Sequence, residues 1–236
     1  MTTITGATSW GRGSGLWLAT YPGENTQFFR GYISGYRYVT GTALYTANFT
    51  PPTQPPAPIA NTYRLLNFTN ANIFDETGKV VLETVGDSRV NTSTIRLGDG
   101  SMAFDGTGDY LLIPHSNEVD ITAGNFTIEA WVRTGVSSGE QHFFGKRSAD
   151  TFTSLIIGVA ASGGSNRLYV LGATTSGSWN INGGFTAGTI NIPLNTWVHI
   201  AVVRDGSALR TFVNGVADYT FSVSGSLLTN TDACLL

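Results

Sequence analysis

Residues Trp197 to Phe221 read WVHIAVVRDGSALRTFVNGVADYTF, three runs of alternating character separated by Asp205-Gly206 and Asn214-Gly215. Asp-Gly and Asn-Gly supply the positive φ angles that two-residue hairpin turns require, so this stretch specifies an antiparallel meander. The same period of two governs FTIEAWV, with Phe126, Ile128, Ala130 and Val132 on one face and Thr127, Glu129 and Trp131 on the other. TYRLLNF, HFFGKR, TSLIIGVAA and RLYVLGAT read as further strands, and SMAFDGTGDYLLIP predicts a hairpin turning through Asp105 to Asp109. Turn signals recur at roughly 8–12 residue spacing, and no stretch carries helical periodicity of useful length. The expected fold is all-β, a two-sheet antiparallel jelly-roll sandwich.

Composition narrows the function classes. Charged residues make up only 12% of the 236-residue chain, the net charge is -3, and no charge run is present. Nucleic acid and anionic membrane surfaces therefore find no electrostatic footprint. The single Cys234 excludes an internal disulfide and a cysteine-built metal cluster. No apolar run approaches the ~20 residues needed to span a bilayer, and nothing after Met1 reads as an export leader, so no membrane insertion is expected.

The clearest break in the chain is TPPTQPPAPIANT, Thr50 to Thr62, where prolines cluster as in an extended linker. It divides the sequence into residues 1–49, the linker 50–62, and residues 63–236. FFRGYISGYRYVTGTALYTANFTPP, ahead of that break, reads like the closing hairpin and exit of a β-domain, although it lies near the beginning.

FDGTGDYLLIP, NFTIEAWV, NTWVHIAVVRDGSALRTFVNG and FFRGYISGYRYVTGTALYT together resemble the laminin-G-like jelly rolls of the concanavalin A-like lectin/glucanase superfamily. The resemblance implies that the FFRGYISGYRY hairpin belongs last, after the strand that follows Val213-Asn214-Gly215. It also implies an acidic residue where this chain has Gly35. On that order, residues 1–49 are terminal strands of one unit and 63–236 a jelly roll lacking its last hairpin. Three arrangements are open: closure within the chain as a circularly permuted jelly roll, strand complementation between neighbours in a homo-oligomer, or a piece of a longer tandem protein. A tethered strand acts at roughly millimolar local concentration, which favours closure within the chain, and ~12 extended linker residues reach about 37 Å, enough to span the domain.

Tandem units joined by such linkers resemble those of structural and adhesion proteins of tailed phages. The resemblance therefore implies a virion location, as tail fibre, adhesin or decoration protein, with host-surface glycan or other virion proteins as partners. A secreted or cell-surface bacterial carbohydrate-binding module is the alternative.

Hydrolysis is not expected. The superfamily's glucanases need paired carboxylates on one strand to flank the glycosidic bond, whereas Glu129 stands alone on its strand. His199 alternates within a strand pattern and reads as a structural histidine. Ca²⁺ is the one cofactor expected, through Asp75, Asp105 and Asp109, against the competing reading that these carboxylates cap their own turns. Sugar contact is expected from Trp179, Asn180 and Asn182 in the Gly-rich loop SGSWNINGG, which has little apolar periodicity. A glycan-active enzyme is the remote alternative.

Overall fold

The computed structural model describes residues 15–20, 27–69, 73, 75–78, 82–114, 121, 124–146, 154–162, 165–181 and 187–228. Fourteen strands and no α-helix occur among them. One sheet runs in the order β11 (Ser165–Gly172), β10 (Leu155–Ser162), β9 (Glu140–Lys146), β1 (Gly15–Leu18), β7 (Tyr110–Pro114), β4 (Glu83–Val85). The second runs β14 (Val216–Ser222), β13 (Ala208–Val213), β12 (Val198–Asp205), β8 (Phe126–Thr134), β2 (Arg30–Thr40), β6 (Ser101–Asp105), β5 (Arg89–Asn91), and β3 (Thr62–Leu66) also pairs with β2. Every strand pair in both sheets is antiparallel, as a two-sheet sandwich of this class requires. The inward residues form one apolar core. Ile33, Tyr36, Tyr38, Phe126, Ile128 and Val132 come from one sheet, and Leu111, Ile113, Phe144, Ile157, Val159 and Val170 from the other. Each such side chain taken fully out of water is worth about 1.5–3 kcal/mol.

The stretch read as a misplaced closing hairpin is instead one long strand in the middle of the larger sheet. β2 pairs with β8 along one edge, and along the other with β6 at Arg30 to Ile33 and with β3 at Tyr36 to Val39. What looked like a turn at Gly35 is a β-bulge: the register with β8 shifts between Ser34 and Arg37, and Gly35 takes φ 58°. The extra residue has a consequence for every side chain beyond it. Arg37 turns to the outer face opposite Glu129, while Tyr36 and Tyr38 point into the core. A Cβ on residue 35 would stand 2.9 Å from Leu97 Cδ1 and 3.2 Å from Pro56 Cδ, so no acidic side chain is accommodated there without rearrangement.

The proline-rich stretch does not span the domain either. Thr40 N donates to Asn61 O at 3.0 Å, so the chain leaves the end of β2 and returns beside it. Residues 41–61 form a strap laid on the outer face of the eight-stranded sheet, a long loop whose two ends meet. A further correction concerns FDGTGDY. β6 belongs to the larger sheet and β7 to the smaller, so the predicted hairpin is an arch that crosses from one layer to the other.

Candidate functional site

Along β8 the outward residues are Thr127, Glu129, Trp131 and Arg133, and the strap covers the first three. Leu44 N donates to Thr127 Oγ1 (2.8 Å), Trp131 Nε1 donates to Pro52 O (3.0 Å), and Tyr45 Oη donates to Glu129 Oε2 (2.7 Å). Farther along, Phe49 N donates to Gly215 O and Ala217 N to Asn48 Oδ1, which clips the strap to the β13–β14 turn. Phe49 stacks on Tyr45 with ring centroids 3.5 Å apart and packs edge-on against Phe212 and His199.

The fully buried Glu129 carboxylate is the centre of this half. Arg37 Nε donates to Oε1 at 2.6 Å, a second guanidinium nitrogen also pairs with Oε1, and His199 Nε2 lies 3.2 Å from Oε2. Burial alone would raise this carboxyl; the His199 hydrogen bond, the Arg37 charge and the Tyr45 hydroxyl outweigh it and hold it below the usual carboxylate range. Tyr45 moves the other way, because burial and then the Glu129 charge disfavour its phenolate. Every oxygen of Glu129 is thus committed, and the strap closes the face over it.

Where β6 ends, three carboxylates meet at the arch. Asp87, Asp105 and Asp109 each offer an oxygen within 4.8 Å of the other two. Asp109 is 1% exposed; its Oδ1 accepts Asp87 N at 2.8 Å and its Oδ2 accepts Asp105 N at 2.9 Å. Burial pushes its carboxyl up, against those two hydrogen bonds, with the charges of Asp105 and Asp87 adding to the rise. Two oxygens on one Ca²⁺ at 2.3–2.6 Å stand at most about 5 Å apart, so this all-oxygen donor set fits a hard divalent cation.

Beside the arch the outer face opens into a cleft of about 340 Å³. Strand register builds it. Arg89 is opposite Ala103, Ala103 opposite Tyr32, and Tyr32 opposite Arg133, one row across β5, β6, β2 and β8. Ala103 leaves a hollow between larger neighbours, and Arg30, opposite Asp105, lines the same cleft one step along. The Tyr32 ring is flanked by the Arg133 guanidinium at 5.6 Å and by Trp197 at 6.4 Å.

A laminin G family model, described as the concanavalin A-like lectin/glucanases superfamily, matches residues 105–236, more than half of the chain. The chain belongs to that superfamily. No curated protein and no solved structure matches it. This superfamily member is completed by β2 from outside the matched segment, which enters the sheet between β8 and β6.

Within this superfamily domain the residues singled out from sequence separate. Asp105 and Asp109 come together, joined by Asp87. Asp75 is not in that group: its Oδ1 accepts Leu65 N and Thr77 N, its Oδ2 accepts Thr77 Oγ1, and it lies 3.6 Å from the fully buried Arg64. It caps a turn and balances a buried charge. Trp179 rests partly buried on Ile156, Ala160, Tyr169 and Leu171, outside the smaller sheet. Asn180 is exposed and hydrogen-bonds within its own loop, accepting from Thr174 N and donating to Thr174 and Thr175 hydroxyls. Asn182 lies outside the described residues. Sequence reasoning missed Asp87, Arg30, Tyr32 and Arg133. The available signal for Arg133 was its outward phase in FTIEAWVRT.

Proposed function

We propose that this domain is a non-enzymatic carbohydrate-binding module, carried on a virion as part of a fibre, adhesin or decoration protein, whose partner is a host-surface glycan. The observation that carries this reading is the open cleft at one end of the outer face. It combines an aromatic ring with arginine, asparagine and aspartate side chains, the mixture that packs on a sugar face and hydrogen-bonds its hydroxyls.

Two buried carboxylates favour binding over hydrolysis. Glu129 is enclosed and fully hydrogen-bonded under the strap, and Asp109 is enclosed with both oxygens holding the arch. Neither is offered to a glycosidic bond as acid or nucleophile, as retaining and inverting chemistry both demand. Asp87, Asp105 and Asp109 would hold Ca²⁺, which supplies a fixed positive charge that stiffens the arch bounding the cleft. A glycan array run with Ca²⁺ and again with chelator tests the reading: retained glycans are expected, and retention of none under either condition overturns adhesion in favour of an architectural role. Reducing ends released from β-glucans would overturn the non-enzymatic assignment.

A further inference from the structure

The cleft contains positive charge that the fold leaves unused. Arg37, Arg64, Arg89 and Arg210 each pair with a carboxylate. Arg30 and Arg133 do not: among the described residues neither guanidinium has an ion-pair or hydrogen-bond partner, and Arg133 meets only the Tyr32 ring. Guanidinium groups present paired N–H donors in a fork that matches carboxylate and sulfate oxygens, and they recognise such anions better than neutral hydroxyls.

We propose that the cleft takes an acidic sugar residue, with the forks of Arg30 and Arg133 on its carboxylate or sulfate group and the Tyr32 ring against its pyranose face. This rests on the carbohydrate-binding reading above and narrows it to acidic glycans. Asp105, exposed at the rim, accepts from ring hydroxyls, and Ala103 supplies the depth. At about 340 Å³ the cleft lies near the lower end of ligand-site volumes, the size of one or two sugar residues rather than an extended chain. A larger side chain at residue 103 would fill the hollow between Arg89 and Tyr32.

Calorimetric titration of the full chain with tetragalacturonate, a sulfated carrageenan tetrasaccharide and cellotetraose separates the sources of the acid group. Binding to at least one acidic probe, weakened by added salt and at least about tenfold tighter than to cellotetraose, is the expected result. R30Q and R133Q should each weaken it about tenfold or more while thermal unfolding stays unchanged, and A103L should block it from the opposite side of the hollow. Equal binding of cellotetraose, or acidic binding unchanged in both arginine variants, overturns this inference and leaves the broader reading standing. Failure of all three probes overturns the inference as well, and only an empty glycan array removes the broader reading with it.

Discussion

The outer face of the eight-stranded sheet carries two groups of polar side chains that the chain treats in opposite ways. Thr127, Glu129 and Trp131 are roofed by the strap, and their polar atoms are hydrogen-bonded to it or to neighbouring strands. Arg133, next in the same outward row, and Tyr32 opposite it lie beyond the strap's hydrogen bonds to β8, and among the described residues the guanidinium groups of Arg30 and Arg133 there have no anionic partner. A charged residue within a sheet is a structural cost when it is covered and unpaired, and a recognition element when it is left open. The difference between the halves is therefore the difference between holding the fold and meeting a ligand.

The largest effect should come from breaking the covered half. Glu129→Ala leaves Arg37 and His199 without their carboxylate beneath the strap and should cost ~3–5 kcal/mol in urea unfolding. A loss near zero would show that the strap, not the charge network, organises this face. The sign of the pH effect follows from the lowered carboxyl. Because Glu129 binds its proton more weakly folded than unfolded, its contribution is fully present above the ordinary value of 4.5 and is lost as pH falls through the lower folded value. The stability gap between wild type and E129Q should therefore narrow in acid.

Next in size is Gly35→Ala. The φ of 58° is strained for a residue with a Cβ, and Leu97 and Pro56 crowd that position, so ~1–2 kcal/mol of stability should be lost. Because the bulge turns Arg37 toward Glu129, pairing G35A with E129A in a double-mutant cycle should give less than the summed losses. Full additivity would separate the bulge from the network.

The two halves also differ in how far the sequence disclosed them. Strands with turn chemistry between them, β12 to β14 above all, are legible because Asp205-Gly206 and Asn214-Gly215 fix register locally. Gly35 and the Asp105–Asp109 run misled for one reason: a glycine that permits a hairpin also permits a bulge or an arch, and alternation names a strand without naming its sheet. The strap was misread because prolines report an extended backbone but not what the backbone lies upon. Asp105 and Asp109 were visible as a pair by their spacing, whereas Asp87 reaches them from 22 residues before Asp109. Arg89, Tyr32 and Arg133 share no segment; only cross-strand register gathers them.

A smaller effect should follow from loosening the roof at one point. Trp131→Phe keeps the apolar body but removes the Nε1–H that Pro52 O accepts, and should cost about 1 kcal/mol. Hydrogen exchange should rise at Leu44 and Phe49, whose amides tie the strap to Thr127 and Gly215. Exchange that rises equally in β12 and β13 would mean that strap and sheet open as one unit, and the covered half could not then be treated as a separate clasp.

The smallest stability effect belongs to the open half, and there the comparison is sharpest. Arg133→Gln removes a charge that among the described residues pairs with no carboxylate and lies partly buried beside a ring 5.6 Å away, so unfolding free energy should shift by no more than about 0.5 kcal/mol. Glu129→Ala, four residues earlier and two places along the same outward row, is expected to cost several times that. Measured on one denaturant scale, the ratio tests whether the strap's edge divides structure from recognition. If R133Q destabilises as strongly as W131F, Arg133 is part of the clasp, and its lack of an anion is no sign of a ligand.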